Sequence, residues 1–121
     1  MTALIIDDEP HILRICRRIL DNLDTDSLEG RCVADGIQQI RSGKRFDILI
    51  SDLRLPDGSG WSVISEFRGL SPKTPIVVIT GTPDEWDPQL AETLKVDACI
   101  FKPFDINDFR NTVGRLLRRT P

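Results

Sequence analysis

The sequence predicts an α/β fold: a single (βα)5 doubly wound domain, with five parallel strands in the order 2-1-3-4-5 and helices on both faces of the sheet. Three observations carry this expectation. The apolar runs Leu4 to Ile6, Ile48 to Ile50 and Ile76 to Ile79 lack polar alternation, as strands buried on both faces do. Segments with helical periodicity separate them, and strict alternation of strand and helix implies right-handed crossovers and a parallel sheet. At 121 residues the chain is about one domain long, so residues 1–121 are read as one unit.

The elements follow in order. Ala3 to Asp7 is a short apolar run, and Pro10 marks a helix start because proline suits the first helical turn. Ile12, Leu13, Ile15, Cys16, Ile19, Leu20 and Leu23 then recur on one helical face. A weaker strand is expected from Glu29 to Val33, where polar residues interrupt the apolar ones as an edge strand allows. Ile37 and Ile40 point to a short helix ending near Gly43. Phe46 to Ser51 is the central strand, followed by a helix carrying Trp61, Ile64 and Phe67 and closed by Gly69 and Pro72. Pro75 to Thr80 is the fourth strand. Trp86, Leu90 and Leu94 predict a helix from Asp84 to Leu94, although Pro83 and Pro88 blur its start. Ala98 to Phe101 is the last strand, and Ile106, Phe109, Val113, Leu116 and Leu117 mark the final helix. The expected strand order is the flavodoxin-like one.

Composition excludes several classes of function. Lys and Arg total 16 against 19 Asp and Glu, a net charge of -3, so nothing draws the chain to nucleic acid in general. The one basic cluster, Arg115, Arg118 and Arg119, is read as a solvated last helical turn favoured by the helix dipole. No apolar run is long enough to cross a bilayer, and Met1 to Ile6 passes straight into Asp7-Asp8-Glu9 with no basic leader or cleavage site. A cytoplasmic location is expected. Cys16, Cys32 and Cys99 are odd in number and widely spaced, which suggests neither a disulfide framework nor a zinc site.

The chemistry lies at the carboxyl ends of the strands. Asp7 and Asp8 end the first, Asp52 the third, Thr80 the fourth and Lys102 the fifth, and in an open parallel sheet these ends border one crevice. Three carboxylates so close repel one another unless a cation sits among them. A hard divalent ion answers this, and Mg2+ suits it because it accepts incomplete protein ligation and keeps waters that a phosphate oxygen can replace. Phosphoryl transfer asks for an in-line nucleophile, a metal and donors for the equatorial oxygens. Asp52 is the expected nucleophile, Asp8 and Asp52 the expected holders of the metal, and Thr80 and Lys102 the expected donors. The product is an acyl phosphate, a reversible mark.

Together Ile6-Asp7-Asp8-Glu9-Pro10, Asp52 followed by Leu55-Pro56 and Gly60, Thr80-Gly81 and Lys102-Pro103-Phe104 resemble the response-regulator receiver domains of two-component signalling, and the match covers the whole chain. The resemblance implies that Asp52 is the phosphoacceptor, that Asp8, Asp52 and the backbone carbonyl of Arg54 ligate Mg2+, and that Asp7 assists through water. It implies that Thr80 moves toward the phosphoryl group while Lys102 pairs with it. The implied donor is a phosphohistidine on a sensor histidine kinase or phosphotransfer protein. The implied receiver of the signal is a downstream protein or a carboxyl-terminal output domain. Cys99 departs from the family at the place where many members carry a switching aromatic. Phe101, on the same strand face, is read as an apolar patch for a partner or a homodimer. His11 is expected in the exposed first turn, and Trp61 and Trp86 in helix packing.

Other classes predict different residues. A small phosphoaspartate-type phosphatase of the haloacid-dehalogenase kind has a second aspartate where Arg54 stands. A flavodoxin-like cofactor binder has a phosphate loop rich in Gly, Ser or Thr where Asp7-Asp8-Glu9 stands. A receiver-like binding module that works without phosphorylation is the remaining alternative.

Overall fold

The computed structural model describes residues 1–119. Five strands, β1 (Thr2–Ile6), β2 (Asp26–Gly30), β3 (Ile48–Ser51), β4 (Ile76–Thr80) and β5 (Ala98–Phe101), alternate with five helices. These are α1 (Pro10–Asn22), α2 (Val33–Ile40), α3 (Gly60–Leu70), α4 (Pro88–Thr93) and α5 (Ile106–Arg119). The sheet is parallel throughout, in the order β2-β1-β3-β4-β5. That is the order expected from the sequence. No described helix is long and apolar enough to cross a membrane.

Alternate side chains of each central strand enter opposite cores. Ala3, Ile5, Ile48, Ile50, Val77 and Ile79 pack with α1 and α5 through Leu13, Cys16, Leu20, Phe109 and Val113. Leu4, Ile6, Leu49, Ile76 and Val78 pack instead with α2 and α3 through Ile40, Val63, Ile64 and Phe67, and Trp86, Leu94 and Val96 lean on the same cluster. Two-sided burial is why these strands read as unbroken apolar runs.

Several boundaries differ from the sequence reading. The edge strand is Asp26–Gly30 rather than Glu29 to Val33, because its register comes from β1, with Thr2 opposite Asp26 and Ile6 opposite Gly30. Cys32 and Val33 belong instead to the start of α2, where the Cys32 thiol accepts from the Asp35 N–H. The expected helix from Asp84 to Leu94 is a 3-10 turn at Pro83–Glu85 followed by α4. Pro88 begins α4, and the Asp87 carboxylate caps it by accepting from Gln89 and Leu90 N–H at 3.0 and 3.2 Å. Between β3 and α3 the chain also forms a small hairpin, Arg54–Leu55 against Gly58–Ser59, which no apolar pattern announces.

Long-range polar contacts fasten the loops. The Arg68 guanidinium donates to the carbonyls of Ser71, Thr74, Leu94 and Lys95 at 2.7 to 3.0 Å, tying the end of α3 to the end of α4. At the hairpin tip, the Asp57 carboxylate accepts from the Val33 and Ala34 N–H groups at 2.7 and 3.0 Å and caps α2 from outside that helix. Those N–H bonds, from Val33 first and Ala34 second, hold the Asp57 carboxyl below its usual value of 3.8. A depressed carboxyl adds stability that is present above its unfolded pKa and lost as pH falls through the folded value. Urea unfolding should therefore show the wild type more stable than Asp57→Asn at pH 6, with the difference closing below about pH 4. An equal gap at pH 3 and pH 6 would remove the charge from this cap.

Candidate functional site

The sheet ladder continues one residue past several strands, and those residues carry the polar side chains. Asp7 N–H donates to the Gly30 carbonyl, Asp52 N–H to the Ile6 carbonyl and Lys102 N–H to the Thr80 carbonyl, at 3.0, 2.8 and 2.8 Å. Backbone pairing thus fixes where each side chain leaves the sheet. From there Lys102 Nζ reaches Asp7 Oδ2 at 2.8 Å, Glu9 Oε1 at 2.9 Å and Asp52 Oδ2 at 2.9 Å. The other oxygen of Asp52, Oδ1, accepts from the Leu53 and Arg54 N–H groups at 2.7 and 3.3 Å. Its carboxylate is held from both sides.

Of the residues expected at the site, Asp7, Asp8, Asp52 and Lys102 come together. Asp7 and Asp52 are buried, while Asp8 stands at the exposed mouth. Thr80 is buried beside Lys102, but its hydroxyl accepts from the Thr82 N–H at 3.1 Å and so faces its own loop. Arg54 contributes its N–H to Asp52, and its side chain extends across the mouth to Glu85 at 3.4 Å. Glu9 is a member that the sequence reading did not assign. It was visible as the third acid of the run, but its contact with Lys102, ninety-three residues away, was not.

Charge in this pocket is poorly balanced. Burial pushes the Asp7 carboxyl up, and the Lys102 ammonium and the Glu9 amide pull it back in part. Burial works against the charge on Lys102, yet bonds to Asp7, Asp52 and Glu9 outweigh it and hold the ammonium above the ordinary lysine pKa. One cation faces several carboxylates.

These residues fit a divalent cation. Asp7, Asp8, Glu9 and Asp52 each bring a carboxylate oxygen within 4.8 Å of the others, a hard all-oxygen donor set. Asp7 Oδ2 is buried without a hydrogen-bond partner, its contact with Lys102 being ionic rather than directional. Such an atom has unused capacity for a ligand.

Around the pocket, Cys99 is half-buried against the α3 side of the sheet, and its thiol is pushed up to about 11 by burial. Phe101 is 46% exposed. Trp61 and Trp86 pack against each other with centroids 5.8 Å apart, and the Trp61 indole donates to the Glu85 carbonyl. His11 is exposed, as expected.

Comparison with known proteins agrees with this architecture. The family model described as the response regulator receiver domain matches residues 3–114. The response regulator protein PilR of Pseudomonas aeruginosa is 33% identical over 120 residues, covering 96% of this chain and 26% of that relative. The response regulator ArlR of Staphylococcus aureus is 32% identical over 122 residues, covering 98% of this chain and 53% of that relative. The chain therefore spans about a quarter of the length of the first relative and about half of the second. A response regulator receiver protein from Sinorhizobium medicae superimposes with a TM-score of 0.83 at 26% identity, covering 98% of this chain and 94% of that one. A CheY-like receiver domain protein from Methanospirillum hungatei shares the fold with a TM-score of 0.86 at 22% identity over the same shares. Since the family match runs from β1 into α5 and takes in every strand end that meets at the acidic pocket, the chain belongs to the response regulator receiver domains of two-component signalling.

Proposed function

We propose that residues 1–121 form one phosphoacceptor unit in which Asp52 receives a phosphoryl group from a phosphohistidine of a sensor histidine kinase or phosphotransfer protein. Thr120 and Pro121 of that unit lie outside the described residues. The supporting observation is the setting of Asp52: one oxygen held by two amides, the other beside the Lys102 ammonium, among acids that suit a hard cation. An Asp52 oxygen attacks phosphorus in line, the P–N bond breaks as the P–O bond forms, and the imidazole leaves with the bonding pair and takes a proton from solvent.

Asp7, Asp8, Asp52 and the backbone carbonyl of Arg54 are the groups we assign to Mg2+, which when bound neutralises the carboxylates and the transferred oxygens. Lys102 donates to one phosphoryl oxygen, and Thr80 donates to another once its hydroxyl leaves Thr82. Arg54 turns to Glu85 and supplies no acid for a leaving group, so we read a switch that assists its own phosphorylation and dephosphorylation. The signal would pass to a downstream protein or an output domain, with exposed Phe101 as a contact for such a partner or for a second copy. Three free cysteines suit a reducing compartment, and we place the protein in the cytoplasm.

Intact mass after incubation with acetyl phosphate and MgCl2 tests the reading. The wild type should gain one phosphoryl group, and Asp52→Asn, or the wild type in chelator, should gain none. Equal uptake by Asp52→Asn would end the proposal.

A further inference from the structure

We propose that Glu9 is a positioning residue that holds Lys102 in the resting protein and, by letting go, decides how readily the ammonium reaches a phosphoryl oxygen on Asp52. This rests on the reading of Asp52 as phosphoacceptor.

An ammonium has three N–H donors. In this structure Lys102 donates to Glu9 Oε1 and Asp52 Oδ2 at 2.9 Å each and lies in ionic contact with Asp7 Oδ2 at 2.8 Å, so its two directional bonds go to Glu9 and Asp52. The ammonium is ringed by these carboxylates, and it swings to a phosphoryl oxygen most freely when a hydrogen-bonded partner yields. Asp7 is fully buried, and its second oxygen is fixed by the Glu9 N–H at 2.9 Å. Asp52 is the reacting group and is anchored by Leu53. Glu9 differs from both: its side chain is 44% exposed, so water can take over its carboxylate when it leaves.

Local structure leaves Glu9 free for this. It occupies the N-cap of α1, yet its side chain makes no capping bond. The first turn is satisfied by its carbonyl, which accepts from the Ile12 and Leu13 N–H groups at 3.1 and 3.2 Å. Its remaining oxygen meets the exposed His11 ring at 3.7 Å, a contact of little energy. The carboxylate is therefore committed to Lys102 and to nothing that shapes the helix.

The test compares the wild type with Glu9→Gln and Glu9→Asp, reading the rate of phosphoryl uptake from acetyl phosphate at saturating MgCl2, and MgCl2 affinity of the unphosphorylated chain by calorimetry. Gln keeps the shape but loses the charge that strengthens the bond, whereas Asp keeps the charge but is one methylene too short to reach. Both variants should take up the phosphoryl group about fivefold faster at saturating MgCl2. Wild-type rates in Glu9→Gln would overturn the inference. So would acceleration in Glu9→Gln alone, which would mean that the charge merely repels an anionic donor. MgCl2 binding weakened about tenfold with slower uptake would make Glu9 a metal ligand instead. A wild type that takes up no phosphate removes the reading of Asp52 and this inference with it, whereas a phosphorylated wild type with unchanged variants removes the inference alone.

Discussion

Gly60→Ala should cost on the order of 3 kcal/mol of stability, the largest effect expected from adding one methyl group to this chain. A Cβ built at Gly60 overlaps the carbonyl oxygen of Asp52 and lies 2.8 Å from its carbonyl carbon and 2.9 Å from Leu53 Cα. All three are backbone atoms, so no side chain can swing aside. The closeness follows from the loop that carries the phosphoacceptor: after Asp52 the chain makes its hairpin and returns so tightly that Gly60 N–H bonds the Leu53 carbonyl at 2.8 Å. Gly60 is also the first residue of α3, whose start is capped by the Ser59 hydroxyl accepting from Trp61 N–H. Relief requires shifting either α3 or the end of β3, and the second moves Asp52. Phosphoryl uptake should fall along with the urea midpoint. Gly69→Ala is the control, because a Cβ there meets nothing within 4 Å and lies in the same helix. It should leave stability unchanged or raise it by about 0.5 kcal/mol. Matching midpoints for the two variants would show that the close approach at Gly60 does not exist in solution.

Lys102→Met should separate stability from chemistry. Among the described residues its ammonium is the one cation in contact with the buried carboxylates of Asp7 and Asp52, at 2.8 and 2.9 Å. Met keeps much of the stem volume and removes the charge. Breaking a buried pair from one side leaves an uncompensated carboxylate, with a cost on the order of 3 kcal/mol. Urea unfolding in chelator should show that loss, and MgCl2 should restore part of it, since a divalent ion held by Asp7, Asp8 and Asp52 returns positive charge to the same place. Phosphoryl uptake should remain slow even with MgCl2, because the donor to the transferred oxygen is gone. Wild-type stability of Lys102→Met in chelator would mean that the ion pairs contribute nothing, and full uptake with MgCl2 would take Lys102 out of the reaction.

The central strands were the most legible elements. Ile48 to Ile50 and Ile76 to Ile79 face apolar neighbours on both sides, so their composition alone announces them. The edge strand was misplaced by three residues because one flank has no partner strand, and its limits come from pairing with Thr2 to Ile6. The start of α4 escaped for a local reason: Pro83 and Pro88 each begin a helical turn, and the Asp87 cap decides which of the two continues. The Asp57 cap on α2 and the Arg68 bonds to four carbonyls join residues more than twenty positions apart in most cases, so no spacing rule predicts them.

By itself the sequence determined that a parallel sheet would form and that Asp7, Asp8, Asp52, Thr80 and Lys102 would stand along its carboxyl edge, because two-sided burial and strand-end polarity are written in local composition. Only the tertiary structure decided what those side chains touch. Glu9, at the N-cap of α1, meets Lys102 across the pocket, and the Thr80 hydroxyl turns to Thr82 rather than to Lys102. Side-chain direction depends on how elements pack in space, and hydrogen bonds are satisfied by whichever neighbour that packing supplies.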